Sequence, residues 1–234
     1  MSFGSRTNWL CFFVPLILLA VQLVVEFTIS EEMHVRLHSE NSPIETLQFI
    51  LLMIGLFFAV KGLCLTKFQK PLLISIWLLV AALGCLYVGG EEVSWGQHFL
   101  NWNTPDYWAA LNDQGETNFH NTSSWLDQKP RLLLELGVLV GGLLLPLYTL
   151  GRPQGLPLWL AAITPPSRLA LIAGVALFVK LADKAGEATG FVLFRRASEV
   201  GEFYIFYFVM LYLAFLYAKI KSEKDLKQKE KIYV

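Results

Sequence analysis

The chain has 234 residues, of which 55% are hydrophobic and 16% charged, and its formal net charge is zero. A soluble domain carries about 25% charged residues, and the mean hydropathy here is +0.50, so the polar surface is too small for a water-soluble fold. The apolar residues fall into blocks that match the roughly 20 residues a helix needs to span a bilayer, and the expected fold is an all-α, polytopic integral membrane helix bundle of about six transmembrane helices.

The first apolar run, 9–29, follows Arg6. It is too long for a signal-peptide core, and Phe27-Thr28-Ile29-Ser30 is a poor cleavage site, so it reads as a retained first helix. Glu26, Glu31, Glu32, His34 and His38 read as solvated loop residues at its end. The second run, 45–65, opens on Ser42-Pro43-Ile44-Glu45, a capping box with proline at the first helical position, which makes Glu45 a cap before anything else. The third run, 71–90, leads into the longest polar stretch, 91–131. The fourth, 131–150, begins after Pro130, and Glu135 in its first turns complements the helix dipole. Pro153, Pro157, Pro165 and Pro166 surround an apolar Leu-Trp-Leu-Ala-Ala-Ile core. Proline this dense breaks a regular helix, so an interfacial or re-entrant connector is expected there. The fifth and sixth runs are 169–190 and 199–218, with Ser198 placed to cap the sixth. Residues 1–218 make one transmembrane domain and 219–234 a Lys-rich cytoplasmic tail. No internal repeat is visible. Cys11, Cys64 and Cys85 lie in apolar runs without a Cys-x-x-Cys spacing, which argues against a disulfide framework or a zinc knuckle.

With the amino terminus in the cytoplasm, Arg6, Lys61, Lys67, Lys70, Arg152, Arg168 and the tail lysines from Lys219 to Lys231 lie inside, 12 of the 19 basic residues. The positive-inside rule then places both termini in the cytoplasm. The stretch 91–131 faces outward. The tail is an anchor near anionic lipid. Glu223, Asp225 and Glu230 interrupt its basic run, so no nucleic-acid partner is expected.

The polar stretch opens Gly89-Gly90-Glu91-Glu92-Val93-Ser94-Trp95-Gly96-Gln97-His98. A continuing helix would put Glu91, Ser94 and His98 on one face. Thr104-Pro105-Asp106 looks like the cap of a short interfacial helix carrying Tyr107, Trp108 and Leu111. Glu116 and His120 then stand at i, i+4, a spacing that on a helix presents both to one metal ion or substrate. Asn121-Thr122-Ser123 matches the glycosylation acceptor pattern. Lys180, Asp183, Lys184 and Glu187 form a stripe near the outer end of the fifth run. Arg195 and Arg196 lie in the next connection, and Glu199 and Glu202 open the sixth run. Ionisable groups within membranes are costly and face a partner or a water-filled cavity, so groups from separate helices at one depth point to a shared outer pocket. Blander readings stand beside this one. The stripe on the fifth run equally fits self-contained intrahelical ion pairs, and Trp95, Trp102, Trp108 and Trp125 fit an interface belt. The Glu91-Glu92 doublet is the hardest of these features to motivate by packing.

Gly90-Glu91-Glu92-Val93-Ser94-Trp95-Gly96-Gln97, followed by Gln114-Gly115-Glu116-Thr117-Asn118-Phe119-His120-Asn121, resembles a set of bacterial multi-pass membrane proteins of unknown function. In that set an arginine often follows the glutamine, where this chain has His98, which weakens His98 as a ligand. The resemblance implies a site and no reaction. The doublet also invites comparison with the CAAX-type intramembrane proteases. Gly96, however, stands where their Glu-Glu-x-x-x-Arg motif has arginine, and Phe119 directly precedes His120 where they space the two.

The expected function is a membrane-embedded enzyme, a hydrolase or transferase, acting on a lipid or lipid-linked substrate. Glu91, Glu92, Glu116, His120, Asp183, Glu187, Glu199 and Glu202 are its candidate acid, base or metal-binding groups. Arg195, Arg196, Trp95, Gln97 and Asn121 are candidate substrate contacts, the arginines for a phosphate or carboxylate headgroup. His120, Glu116 and His98 are candidate ligands of a divalent metal ion. A carboxylate-only site, in which Glu91 and Glu92 share a proton, is the alternative to a metal. Two other classes stay open: a non-catalytic subunit docking on a membrane-protein partner, and a transporter or ion pathway, which the apolar inner halves of the helices disfavour. No Gly-x-Ser-x-Gly elbow, His-Glu-x-x-His helix or phosphate-cradling loop selects a reaction class.

Overall fold

The computed structural model describes residues 7–38, 42–66, 72–100, 102–111, 124–152 and 155–230, and the regular elements among them are all helical. Six are long: α1 (Trp9–Thr28), α2 (Pro43–Thr66), α3 (Leu72–Glu92), α4 (124–151), α5 (Ala170–Thr189) and α6 (Ala197–Glu230). All but α5 contain a stretch long and apolar enough to cross a membrane, which makes the chain a multi-pass integral membrane protein. Helix α5 has the length, 20 residues, but carries Lys180, Asp183, Lys184 and Glu187 in its second half.

Helix α6 is the hub. Its membrane-length window is 56% buried, against 17% for α1 and for α4. Tyr204, Phe206, Phe208, Leu211 and Leu213 are buried on more than one of its faces, the pattern of a helix surrounded by others. Gly142 of α4 packs against α5 and α6, where a Cβ would fall 2.5 Å from Ala173 and 2.8 Å from Phe208. Only glycine fits there.

Two π turns, Trp9–Phe13 in α1 and Val140–Leu144 in α4, directly precede Pro15 and Pro146. Proline lacks an N–H and its ring crowds the carbonyl four residues back, and a wider turn relieves that crowding. The Val14 N–H bonds the Trp9 carbonyl in this wider register. Leu10 would then look to Pro15 for a donor that proline lacks. The Tyr207 hydroxyl supplies it, donating to the Leu10 carbonyl at 2.8 Å.

Several boundaries differ from expectation. The Glu45 N–H donates to Ser42 Oγ at 3.2 Å, so the cap of α2 forms as expected. Helix α4 begins at Ser124, which leaves Pro130 inside it and not ahead of it. Ser198 lies within the first turn of α6, where its hydroxyl accepts from Arg131 Nη2 at 2.6 Å and does not cap the helix. The proline-rich connector contains a short helix, Leu158–Ile163, with Leu158 and Trp159 exposed. Tyr212 Oη donates to the Ile163 carbonyl at 2.6 Å and accepts from Trp77 Nε1 at 2.6 Å. Lys219 Nζ reaches the carbonyls of Ala161 and Ala162, each at 3.2 Å. These bonds close the end of the bundle opposite the polar residues.

Candidate functional site

Glu92 is the last residue of α3 and is partly buried. Its charged neighbours are Glu202 and Glu199 from α6, Glu45 from α2 and Arg131 from α4. Four helices therefore bring one end to the same place, which requires α3 to run antiparallel to α2 and α6. Arg131 holds the group together. Its Nη1 lies 2.9 Å from Glu202 Oε1, its Nη2 donates to Ser198 Oγ, and its Nε is 3.8 Å from Glu135 Oε1. Lys180 of α5 in turn donates to Glu135 Oε2. Glu135, expected only to complement a dipole, is a link between Arg131 and Lys180.

Gln48 contacts the turn of α6 that carries Glu199. It follows Glu45 by one turn of α2 and is fully buried, and its Nε2 donates to the Glu199 carbonyl at 3.1 Å. Its Oε1 has no hydrogen-bond partner among the described residues. Leaving a buried acceptor unmet costs about 1–3 kcal/mol, so this oxygen is either a defect or a place held for a donor. The sequence signal for it is a single glutamine inside the second apolar run.

No family model, curated protein or solved structure matches this chain. The chemistry of the site therefore rests on its own geometry.

The other half of the doublet faces elsewhere. Glu91 is 5% exposed and accepts a hydrogen bond from Trp95 Nε1 at 2.6 Å. Helix α3 does not continue to His98. Ser94, Trp95 and Gly96 take φ values of 44°, 55° and 92°, a left-handed turn that folds the Trp95 ring back over Gly90. A Cβ on Gly90 would come within 2.8 Å of that ring. Positive φ at two non-glycine residues costs about 1–3 kcal/mol each and persists because burial of Ser94 and the Glu91–Trp95 bond hold the turn. The motif thus has a folding role: Gly90 admits the indole, the indole fixes Glu91, and Glu92 is left to face α6. Gln97 Nε2 donates to Thr104 Oγ1 at 2.8 Å, tying this turn to the segment before the short helix Asp106–Ala109.

A second polar node corrects the reading of Glu26 and His34 as solvated loop residues, whereas Glu31 is exposed as expected, at the start of a short helix, Glu31–His38. Glu26 and His34 are buried, with His34 Nε2 3.0 Å from Glu26 Oε1. Gln22 Nε2 donates to the same oxygen at 2.8 Å. Arg195 donates to Glu26 Oε2 from its backbone N–H at 3.2 Å and from Nε at 3.1 Å, and its Nη1 reaches Glu31 Oε2 at 2.9 Å. Burial works against the Arg195 charge, yet the hydrogen bonds it donates to Glu31 and Glu26 outweigh that and hold its pKa above the ordinary value. Arg195, expected as a headgroup contact, is a strut between α1 and the loop before α6.

Asp183 and Glu187 are not brought to the cluster. Lys184 Nζ holds both Glu187 oxygens, at 2.7 and 2.8 Å, on an exposed face of α5, and Asp183 is exposed beside them. Of that stripe, Lys184 and Glu187 form an intrahelical ion pair, whereas Lys180 pairs with Glu135 of α4. Arg196 is exposed. Glu116, His120 and Asn121 lie outside the described residues, as does the side chain of His98. Among the described residues no group of three His, Cys, Asp or Glu side chains is arranged to hold a metal ion.

Proposed function

We propose that this chain is a membrane-embedded hydrolase or transferase acting, at the polar end of its bundle, on a lipid or lipid-linked substrate. The observation that carries the reading is the polar junction at one end of the bundle, where Arg131 of α4 pairs with Glu202 of α6 at 2.9 Å, Lys180 of α5 pairs with Glu135 of α4, and Gln48 of α2 bonds the Glu199 carbonyl, with Glu92 at the adjacent end of α3. Gathering ionisable side chains from four helices within a membrane domain costs several kcal/mol per ion, and apolar residues would pack such a junction more cheaply. Carboxylates that face one another divide protons between them, so one can donate while another accepts. Glu92, Glu199 and Glu202 are the acid and base candidates, and Arg131 steadies the charge of Glu202 through its 2.9 Å pair. With both termini in the cytoplasm, the cluster opens to the outer leaflet of a bacterial inner membrane.

Reconstitution in liposomes of total bacterial lipid, followed by mass spectrometry of the lipids, tests this. Wild type should produce a new lipid species, and Glu92→Gln should slow its appearance by roughly 100-fold or more, the usual contribution of a general acid or base. A lipid profile that wild type leaves unchanged would end the enzyme reading.

A further inference from the structure

The two ends of the bundle treat their cations differently. At the carboxylate end Arg131, Lys180, Lys184 and Arg195 each pair with an acid, namely Glu202, Glu135, Glu187 and Glu26. At the opposite end Lys61, Arg152, Arg168 and Lys219 pair with none among the described residues. Glu223 and Asp225, further along α6, leave them unpaired too. Three of the four rest on aromatic rings instead: Arg168 over Phe215 at 5.5 Å, Arg152 over Tyr148 at 5.7 Å and Lys61 over Phe57 at 5.4 Å. A ring covers one face of a guanidinium and leaves the fork of N–H donors at its edge.

Arg168 and Lys219 stand together. Phe215 and Lys219 are one turn apart on α6, so both cations lie against the same face of that helix. Arg168 is half-buried, and no acceptor among the described residues meets its N–H edge. Lys219 donates to the carbonyls of Ala161 and Ala162, which fixes its ammonium beside the short connector helix. On that helix Leu158 is 91% exposed and Trp159 58% exposed, an apolar pair left for acyl chains to cover.

We infer that this end of the bundle binds the phosphate of an anionic phospholipid, with the Arg168 fork on the phosphate oxygens and Lys219 adding its charge. A guanidinium matches phosphate geometry with two parallel N–H bonds, and basic pockets between membrane helices take headgroups of this kind. Trp159 beside them suits the headgroup level, where an indole keeps one edge wet. A zwitterionic lipid offers the same phosphate but brings its own ammonium group to a place where no acid among the described residues receives it. The headgroup that fits carries net negative charge. Binding here is independent of the enzyme reading, because the carboxylates lie at the other end of the bundle.

Lipid retention by the full-length protein in detergent, measured by native mass spectrometry, provides the test, with phosphatidylglycerol and phosphatidylcholine of matched chains as probes. Wild type should retain phosphatidylglycerol about tenfold better, the order expected of two basic side chains at a headgroup. Arg168→Gln and Lys219→Gln should each weaken that preference, and the double substitution should bring it near parity, with folding checked by circular dichroism. Arg168→Lys keeps the charge but loses the fork and should retain less phosphatidylglycerol than wild type. Lys184→Gln, on the exposed face of α5 at the other end, should change nothing. If the Arg168 variants do not fold, Lys219→Gln carries the test, since its side chain is exposed. Equal retention of the two lipids by wild type overturns the inference, as does a preference that survives the double substitution. A loss in Lys184→Gln as large as in Arg168→Gln overturns it too, because charge anywhere on the protein would then suffice. Displacement of phosphatidylglycerol by millimolar inorganic phosphate would mark a free-anion site and overturn the assignment to lipid.

Discussion

Glu26 accepts hydrogen bonds from the Gln22 amide and from the Arg195 backbone and guanidinium, and it meets His34 besides. Its side chain is 2% exposed and that of Arg195 is 25% exposed. Removing one member of such a pair leaves the other charge desolvated without compensation, which costs about 3–5 kcal/mol. Glu26→Ala should therefore lower the unfolding free energy in detergent by an amount in that range, the lower end being expected because Arg195 is partly wetted. Arg195→Ala should cost nearly as much, and the double substitution should cost far less than the sum, since both remove one interaction. Two small, additive losses under about 1 kcal/mol would mark an ordinary surface pair and contradict the buried node. The pairing was hidden in the sequence for a physical reason. Glu26 and Arg195 lie 169 residues apart, and a carboxylate at the mouth of an apolar run looks the same whether water or a distant guanidinium meets it. What distinguishes Glu26 is that Gln22 stands one turn before it inside the run, a polar pair on one helix face.

The end of α3 shows how an element's termination can set up a site. Trp95 returns over Gly90 through a left-handed turn, so Glu91 and Glu92 diverge, one bonded to the indole and the other facing α6. Gly90→Ala would drive a methyl into the ring, an overpacking worth about 1–3 kcal/mol. The indole should then leave Glu91. In 15N spectra the Trp95 indole N–H resonance, assigned by its loss in Trp95→Phe, should shift to a free-indole position in Gly90→Ala, and an unmoved resonance would show that the ring does not rest on Gly90. Element by element, the apolar runs and the Ser42 cap were legible, because hydropathy and capping act within a few residues. The start of α4 was not, since Pro130 reads as a first-turn residue and the preceding turns are polar. The helix expected to carry on from Glu92 to His98 failed for the same local reason: φ signs at Ser94 and Trp95 are set by packing on Gly90, which spacing along the chain does not encode.

At the scale of the whole molecule, the helices gather their polar residues at one end and close the other. Glu26, Glu45, Glu92, Arg131, Lys180, Arg195 and Glu199 meet in two adjoining sets of contacts, whereas Tyr212, Trp77 and Lys219 staple the far end to the short helix Leu158–Ile163. Hydropathy predicts six long helices, and of those found all but α5 have a stretch long and apolar enough to cross a membrane. The convergence of Glu92 with α2, α4 and α6 was legible only as residues of the same depth, because hydropathy gives depth and not the rotation of each helix about its axis. The positive-inside rule leads one to expect the basic tail beyond Lys219 on the cytoplasmic side. Single cysteines introduced at Asp106 and at Lys227, with Cys11, Cys64 and Cys85 replaced, separate the two faces. Both positions are exposed. In intact cells an impermeant maleimide should label Asp106→Cys and spare Lys227→Cys until the membrane is opened. The reverse pattern would place the carboxylate cluster on the cytoplasmic face, and its substrate would then have to be sought among lipids of the inner leaflet.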